Sequence, residues 1–197
     1  CFQGRRWNLD GLTLALAGTF QPGNAALAIA AAEALAEQGL PIEQSSVRLG
    51  LASAVWPGRW QTVSQAPLIL LDGGHNPGAA ACVAETLGTF PLPHPRVLVH
   101  ASKAEKDHAA YLKAVVPFFD HVIETTIMGL ADPADLLQEA SEVAAGCPAP
   151  VPVIQMRKTL SSAVNEALRL AGPSGSILIG GSLYLVGAAL ATRPWET

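Results

Sequence analysis

The sequence predicts an α/β protein: a doubly wound, mostly parallel sheet over residues 58–197, preceded by a short helical segment over residues 1–57. Three observations carry this. After Trp56-Pro57-Gly58 the chain alternates short β-branched or aliphatic runs with helical stretches, and before it only helical patterns stand out. Half of the 197 residues are hydrophobic and 14% are charged, with mean hydropathy +0.31, which is ample for a filled core and excludes disorder. Strand and helix alternation requires parallel pairing with right-handed crossovers, so helices cover both sheet faces.

The first helix is read over Asn24 to Gln38, with Asn24 as N-cap, a run of Ala, Leu and Ile as its body and Gly39 as its stop. Its apolar character predicts burial. A second helix is read from Ile42 to about Ser53, where Glu43 lies near the start and apolar residues recur at Val47, Leu51 and Val55. Strands are then expected at Trp60 to Val63, Leu68 to Leu71, Val97 to His100, His121 to Thr125, Val151 to Ile154 and Ile177 to Ile179. Helices are expected at Pro77 to Leu87, Lys106 to Val116, Pro133 to Ala145, Thr159 to Leu170 and Leu183 to Ala191. The uncharged stretch from Leu170 to Thr192 is about long enough to span a bilayer. Its glycines, proline and serines divide it instead into a turn, a short strand and a small helix.

Composition narrows the partners. Twelve Lys and Arg against sixteen Asp and Glu give a net charge of −4, and the basic residues are scattered, so no nucleic-acid partner is expected, nor a membrane. Cys1, Cys82 and Cys147 lie far apart and form no metal-ligand spacing, which suits a reducing cytoplasm. The chain opens on Cys1 without a leader pattern and reads as a portion of a longer protein.

Ligands of open α/β sheets collect beyond the carboxyl ends of the strands. The richest such segment is Asp72-Gly73-Gly74-His75-Asn76-Pro77, between a strand and a helix. Its glycines allow a tight turn and close approach, Asn76 suits an N-cap and Pro77 a first helical turn. Asp72 and His75 either face the crevice or tie the loop to itself. A zinc site lacks further ligands nearby, and no metal ligands are assigned to this chain. No Gly-x-x-x-x-Gly-Lys-Ser/Thr segment occurs, and no Gly-x-Gly-x-x-Gly follows a strand.

Leu71-Asp72-Gly73-Gly74-His75-Asn76-Pro77 resembles the Asp-Gly-Ala-His-Asn-Pro signature of folylpolyglutamate and dihydrofolate synthases, of the Mur ligase superfamily. Further segments match in order. Gly18-Thr19-Phe20-Gln21-Pro22-Gly23-Asn24-Ala25-Ala26 resembles Gly-x-x-Gln-x-x-Asn-Ala-Ala, late in that family's central ATPase domain, and Trp56-Pro57-Gly58-Arg59 resembles its linker. Ala104-Glu105-Lys106-Asp107 resembles Ala-Asp-Lys-Asp, and Gly181 to Gly187 resembles the closing Gly-Ser-Leu-Tyr-Leu-Val-Gly. The chain departs from the pattern at Gly74, Gly78 and Glu105.

The resemblance implies a Rossmann-like Mur ligase C-terminal domain over residues 58–197, preceded by the tail of an ATP-binding domain over 1–57. It implies an ATP-dependent ligase that adds L-glutamate to dihydropteroate or a folate through an acyl phosphate, with Mg2+ ligands mainly in an earlier ATPase domain. Arg59 and His75 would be catalytic. Asn24 would reach adenine, Arg59 the ATP phosphates and Asp72 the ribose, with His75 beside the nucleotide. Lys106 and Ser182 would bind glutamate carboxylates, although a loop lysine is equally at home in solvent. His100, His108 and His121 read as surface or strand-end histidines. Val55 to Arg59 would form a hinge between domains, and the 197-residue chain alone would be inactive. Two other functions fit the same residues: another Mur-type amino-acid ligase, making peptidoglycan or cyanophycin, and a non-catalytic α/β ligand-binding module.

Overall fold

Before the Trp56-Pro57-Gly58 interruption, strands β1 (Phe2–Gln3) and β2 (Asn8–Leu9) form an antiparallel hairpin, followed by helices α1 (Gln21–Glu37) and α2 (Gln44–Ser53). This computed structural model describes residues 1–196. The chain divides into two compact units, Cys1–Pro57 and the remainder from Gly58. In the first, Trp7, Leu9 and Ile29 form a small core, joined by half-buried Val47 and Leu51. The buried Glu33 carboxylate accepts the amides of Arg5, Arg6 and Trp7 at 3.1, 2.6 and 2.6 Å, which fixes the hairpin on α1.

Two expectations for α1 are corrected. The helix starts at Gln21, three residues before Asn24, because Pro22 has its φ already set for a first turn. Asn24 is therefore no N-cap; it lies exposed in the first turn and donates Nδ2–H to Gln21 Oε1 at 3.1 Å. Nor is the helix buried all round. Gln21, Ala25, Ile29 and Glu33 are buried, a stripe spaced four apart, Ala32 and Ala36 are half-buried beside it, and Leu27 is 72% exposed.

The second unit is a six-stranded sheet. Its strands are β3 (Gln61–Gln65), β4 (Leu68–Asp72), β5 (Arg96–His100), β6 (His121–Glu124), β7 (Val153–Met156) and β8 (Ser176–Gly180), in the order β3-β4-β8-β5-β6-β7. All neighbours are parallel except the edge strand β3, which returns antiparallel to β4 with a bulge between Thr62 and Ser64. Strand β7 starts two residues later than expected, since Pro150 and Pro152 supply no N–H to a ladder.

The helices are α3 (Pro77–Thr89), α4 (His108–Val115), α5 (Pro133–Ala145), α6 (Leu160–Ala171) and α7 (Leu183–Thr192). Residues of α3, α4 and α5 pack on Leu70, Leu98, Val122 and Leu178, on one sheet face. Residues of α6 and α7 pack on Leu71, Val99, Ile123 and Ile179, on the other. Each of the five helices begins on a side-chain cap, from Asn76, Asp107, Asp132, Thr159 and Ser182. Helix α4 thus starts after Asp107, not at Lys106 as expected, and Lys106 belongs to the loop before it. Among the described residues no helix is long and apolar enough to cross a membrane.

Candidate functional site

The strand order reverses where β8 inserts between β4 and β5, and the crevice lies at the carboxyl ends of these strands. Their last residues form one row across the sheet: Asp72 opposite Gly180, Gly180 opposite His100, His100 opposite Glu124. In a parallel sheet such a row points its side chains to one face. Here that face is the α3–α4–α5 side.

Asp72 does not face the crevice. It is 2% exposed, and its two oxygens accept the backbone amides of Gly74 at 2.8 Å and Trp60 at 3.0 Å. Burial raises the pKa of its carboxyl, against the pull of those two amides and of the nearby Arg59 charge. The physical reason for the inward turn is accounting: without Asp72 these buried donors would have no acceptor. The glycines beside it also serve packing, since a Cβ at Gly73 would run into Leu183 and one at Gly74 would lie 2.8 Å from Asp72 Oδ1.

The same clamp fixes Arg59. Gly58 N–H donates to Gln61 Oε1 at 2.9 Å, Gly58 C=O accepts from Gly73 N–H at 2.8 Å, and Trp60 N–H is held by Asp72. Gly58 and Trp60 both take positive φ, +71° and +48°. That is unfavourable for Trp60, and the clamp has to hold it there. Arg59, between them, is half-buried, and its guanidinium makes no hydrogen bond or ion pair among the described residues. The Gly58–Trp60 part of the expected hinge is therefore fastened to the second unit.

His75 does reach the crevice. Its Nδ1 lies 3.0 Å from Gly73 O, and because a carbonyl only accepts, Nδ1 is the donor, which leaves Nε2 as the ring nitrogen available to a ligand. It opens on a cavity of about 140 Å³ lined by His75, Lys103, Glu105, Lys106, Ser182 and Tyr184. Ser182 is buried and its Oγ accepts from Tyr184 N–H at 3.2 Å, capping α7. Lys103 Nζ sits 4.6 Å from the Tyr184 ring centroid and 3.6 Å from Glu105. Glu105 is held below the usual carboxylate range chiefly by its own backbone amide, with Lys103 and Lys106 adding to it.

The second unit thus brings Lys106, Ser182 and His75 to one cavity, and Asp72 holds the turn that carries Arg59 through Trp60 N–H. Asn24 belongs to the first unit. Sequence reasoning missed Lys103 and Tyr184, although Lys103 stands in the same strand-end loop as Lys106. Of the histidines expected at the surface or at strand ends, His100 does end β5, where it is buried against Glu124, but His108 lies at neither place: it is buried at the start of α4, with Nε2 donating to Lys103 O at 2.7 Å. A polar residue closing an apolar strand, as in Val97-Leu98-Val99-His100, was the available signal. No three His, Cys, Asp or Glu side chains converge among the described residues as a metal would need.

A family model described as "Mur ligase, glutamate ligase domain" matches residues 58–183. The probable bifunctional folylpolyglutamate synthase/dihydropteroate synthase of Halobacterium salinarum is 34% identical over 188 residues, 94% of this chain and 22% of that protein. Folylpolyglutamate synthase of Mycobacterium tuberculosis, solved with ADP and AMPPCP, superposes with a TM-score of 0.80 at 30% identity, covering 92% of this chain and 41% of that one. Escherichia coli FolC, solved with DHPP and ADP, gives a TM-score of 0.79 at 25% identity, covering 95% and 42%. The chain thus spans from 22% to 42% of the length of these relatives.

Proposed function

The chain belongs to the Mur ligase family, residues 58–183 being its glutamate ligase domain, and from that premise we propose that it is the C-terminal part of an ATP-dependent ligase adding L-glutamate to dihydropteroate, a folate, or both. The observation that carries this reading is the cavity where His75, Lys103, Lys106 and Ser182 converge. Nucleotides in the Mycobacterium tuberculosis structure, and ADP with DHPP in the Escherichia coli one, support the substrate classes. Residues 1–57 are then the tail of the ATP-binding domain.

The chemistry follows from the side chains. ATP phosphorylates the acceptor carboxylate and ADP departs; the glutamate nitrogen attacks the acyl carbon and phosphate leaves. Arg59, unpaired and rigidly based, forks onto phosphate oxygens and offsets the charge that gathers in the transition state. His75 Nε2 takes the proton that the attacking ammonium must lose. Lys103 and Lys106 supply two cations for the two carboxylates of glutamate, with the Ser182 hydroxyl as a further donor. Asp72 serves the nucleotide through its clamp on Arg59 rather than through a free carboxylate on the ribose. Asn24, exposed on α1, is assigned to the adenine edge. Mg2+ would neutralise ATP phosphate charge, but no three His, Cys, Asp or Glu side chains converge among the described residues, so its ligands would come mainly from the ATPase domain. The cysteines are free, in keeping with a cytoplasmic setting.

The test is a substrate panel on the longer polypeptide that carries this chain, following ADP release. L-Glutamate with dihydropteroate or a folate is expected to release ADP stoichiometrically with product. Release with muramyl acceptors and not with pteroates would assign it to another branch of the family.

A further inference from the structure

The chemistry above leaves one buried acid–base pair unused. His100 and Glu124, the last residues of β5 and β6, are both fully buried, and His100 Nδ1–H donates to Glu124 Oε2 at 2.8 Å. The imidazole stacks on Tyr111 of α4, with centroids 5.2 Å apart and planes at 18°. The buried His100 Nε2, Glu124 Oε1, Tyr111 Oη and Thr125 Oγ1 have no hydrogen-bond partner among the described residues. Taking such a pair out of water is costly, and apolar residues of equal volume commonly serve a core as well or better. Packing alone gives no reason for it, and unsatisfied buried atoms ask for one.

The contact that explains the pair is Gly181. A Cβ at Gly181 would run into His100 Cδ2 and Nε2, so this turn lies directly on the free edge of the ring. Gly181 has φ +93°, a conformation that side chains rarely adopt. The next residue, Ser182, caps α7 and walls the cavity with His75 and Lys106. Glu124 thus orients His100, the ring supports Gly181, and Gly181 sets where Ser182 stands. We infer that Glu124 and His100 are a positioning pair for the amino-acid side of the crevice, holding the Gly181–Ser182 wall in register for glutamate without touching it. This rests on the proposed ligase reading and adds two residues to it.

The test uses the longer polypeptide and two variants. His100→Phe keeps the stack on Tyr111 but removes both ring nitrogens, and Glu124→Gln keeps the shape but removes the charge. Both are expected to raise KM for L-glutamate about tenfold or more, as a misplaced binding group does. KM for ATP should stay within about twofold, and the double variant should be no worse than His100→Phe alone, because the two residues act as a unit. Unchanged glutamate KM in both variants overturns the inference, as does an equal rise for glutamate and ATP, which is what loosened packing would give. Should His100→Phe not fold by circular dichroism, Glu124→Gln decides alone. A wild-type enzyme that adds no glutamate overturns the ligase reading itself, before any variant is compared.

Discussion

Asp72 shows how much one side chain can decide. Its carboxylate is the acceptor for two buried amides, one twelve residues before it and one two residues after it, and so joins the Arg59 turn to the His75 turn. Replacing it with alanine leaves both amides unpaired, and Asp72→Ala should cost about 2–4 kcal/mol, readable as a lower urea midpoint. A loss below about 0.5 kcal/mol, the scale of an ordinary surface change, would show that the clamp is not needed. The sequence made Asp72 and His75 visible as a pair but not their opposite directions. Which of two polar groups turns inward depends on where unpaired amides lie, and Trp60 N–H comes from another segment. Lys103 was hidden for a related reason: a loop lysine acquires meaning only when Tyr184, far along the chain, is folded against it.

At the scale of elements, periodicity and caps located five helices of the second unit closely, because each starts on a residue whose side chain takes the first free amide. Asn76→Ala should therefore lower stability by about 1 kcal/mol in the same unfolding measurement; no change would remove the cap from the account. The β1–β2 hairpin was not legible, since two-residue strands carry no alternation and are held by Glu33 rather than by pattern. That carboxylate has its own pH signature. The Arg6, Trp7 and Arg5 amides, Arg6 foremost, hold its pKa below the usual range although burial opposes them. A lowered folded pKa means its contribution is complete above the ordinary glutamate value of about 4.3 and is lost as pH falls through the folded one. Trp7 fluorescence should accordingly report the first unit loosening on acidification below about pH 4, and Glu33→Gln should flatten that dependence. An unaltered acid profile in the variant would contradict this.

For the whole molecule, composition and alternation were enough to foresee a doubly wound sheet, but not the insertion of β8 between β4 and β5, because strand order is set by long-range pairing that no local pattern records. That insertion is what brings Gly181 and Ser182 beside Lys103 and His75. The chain holds the candidate cavity and a fastened Arg59 turn but no Gly-x-x-x-x-Gly-Lys-Ser/Thr segment, so alone it should not turn over ATP; phosphate release above background would refute this. The most direct measurement is ATP-dependent incorporation of labelled L-glutamate into dihydropteroate or folate by the longer polypeptide, wild type against Arg59→Ala. One ADP per glutamate is expected in the wild type, and a loss of about a hundredfold or more in the variant at unchanged melting temperature. Wild-type turnover in Arg59→Ala, or no incorporation by the wild type, would contradict this.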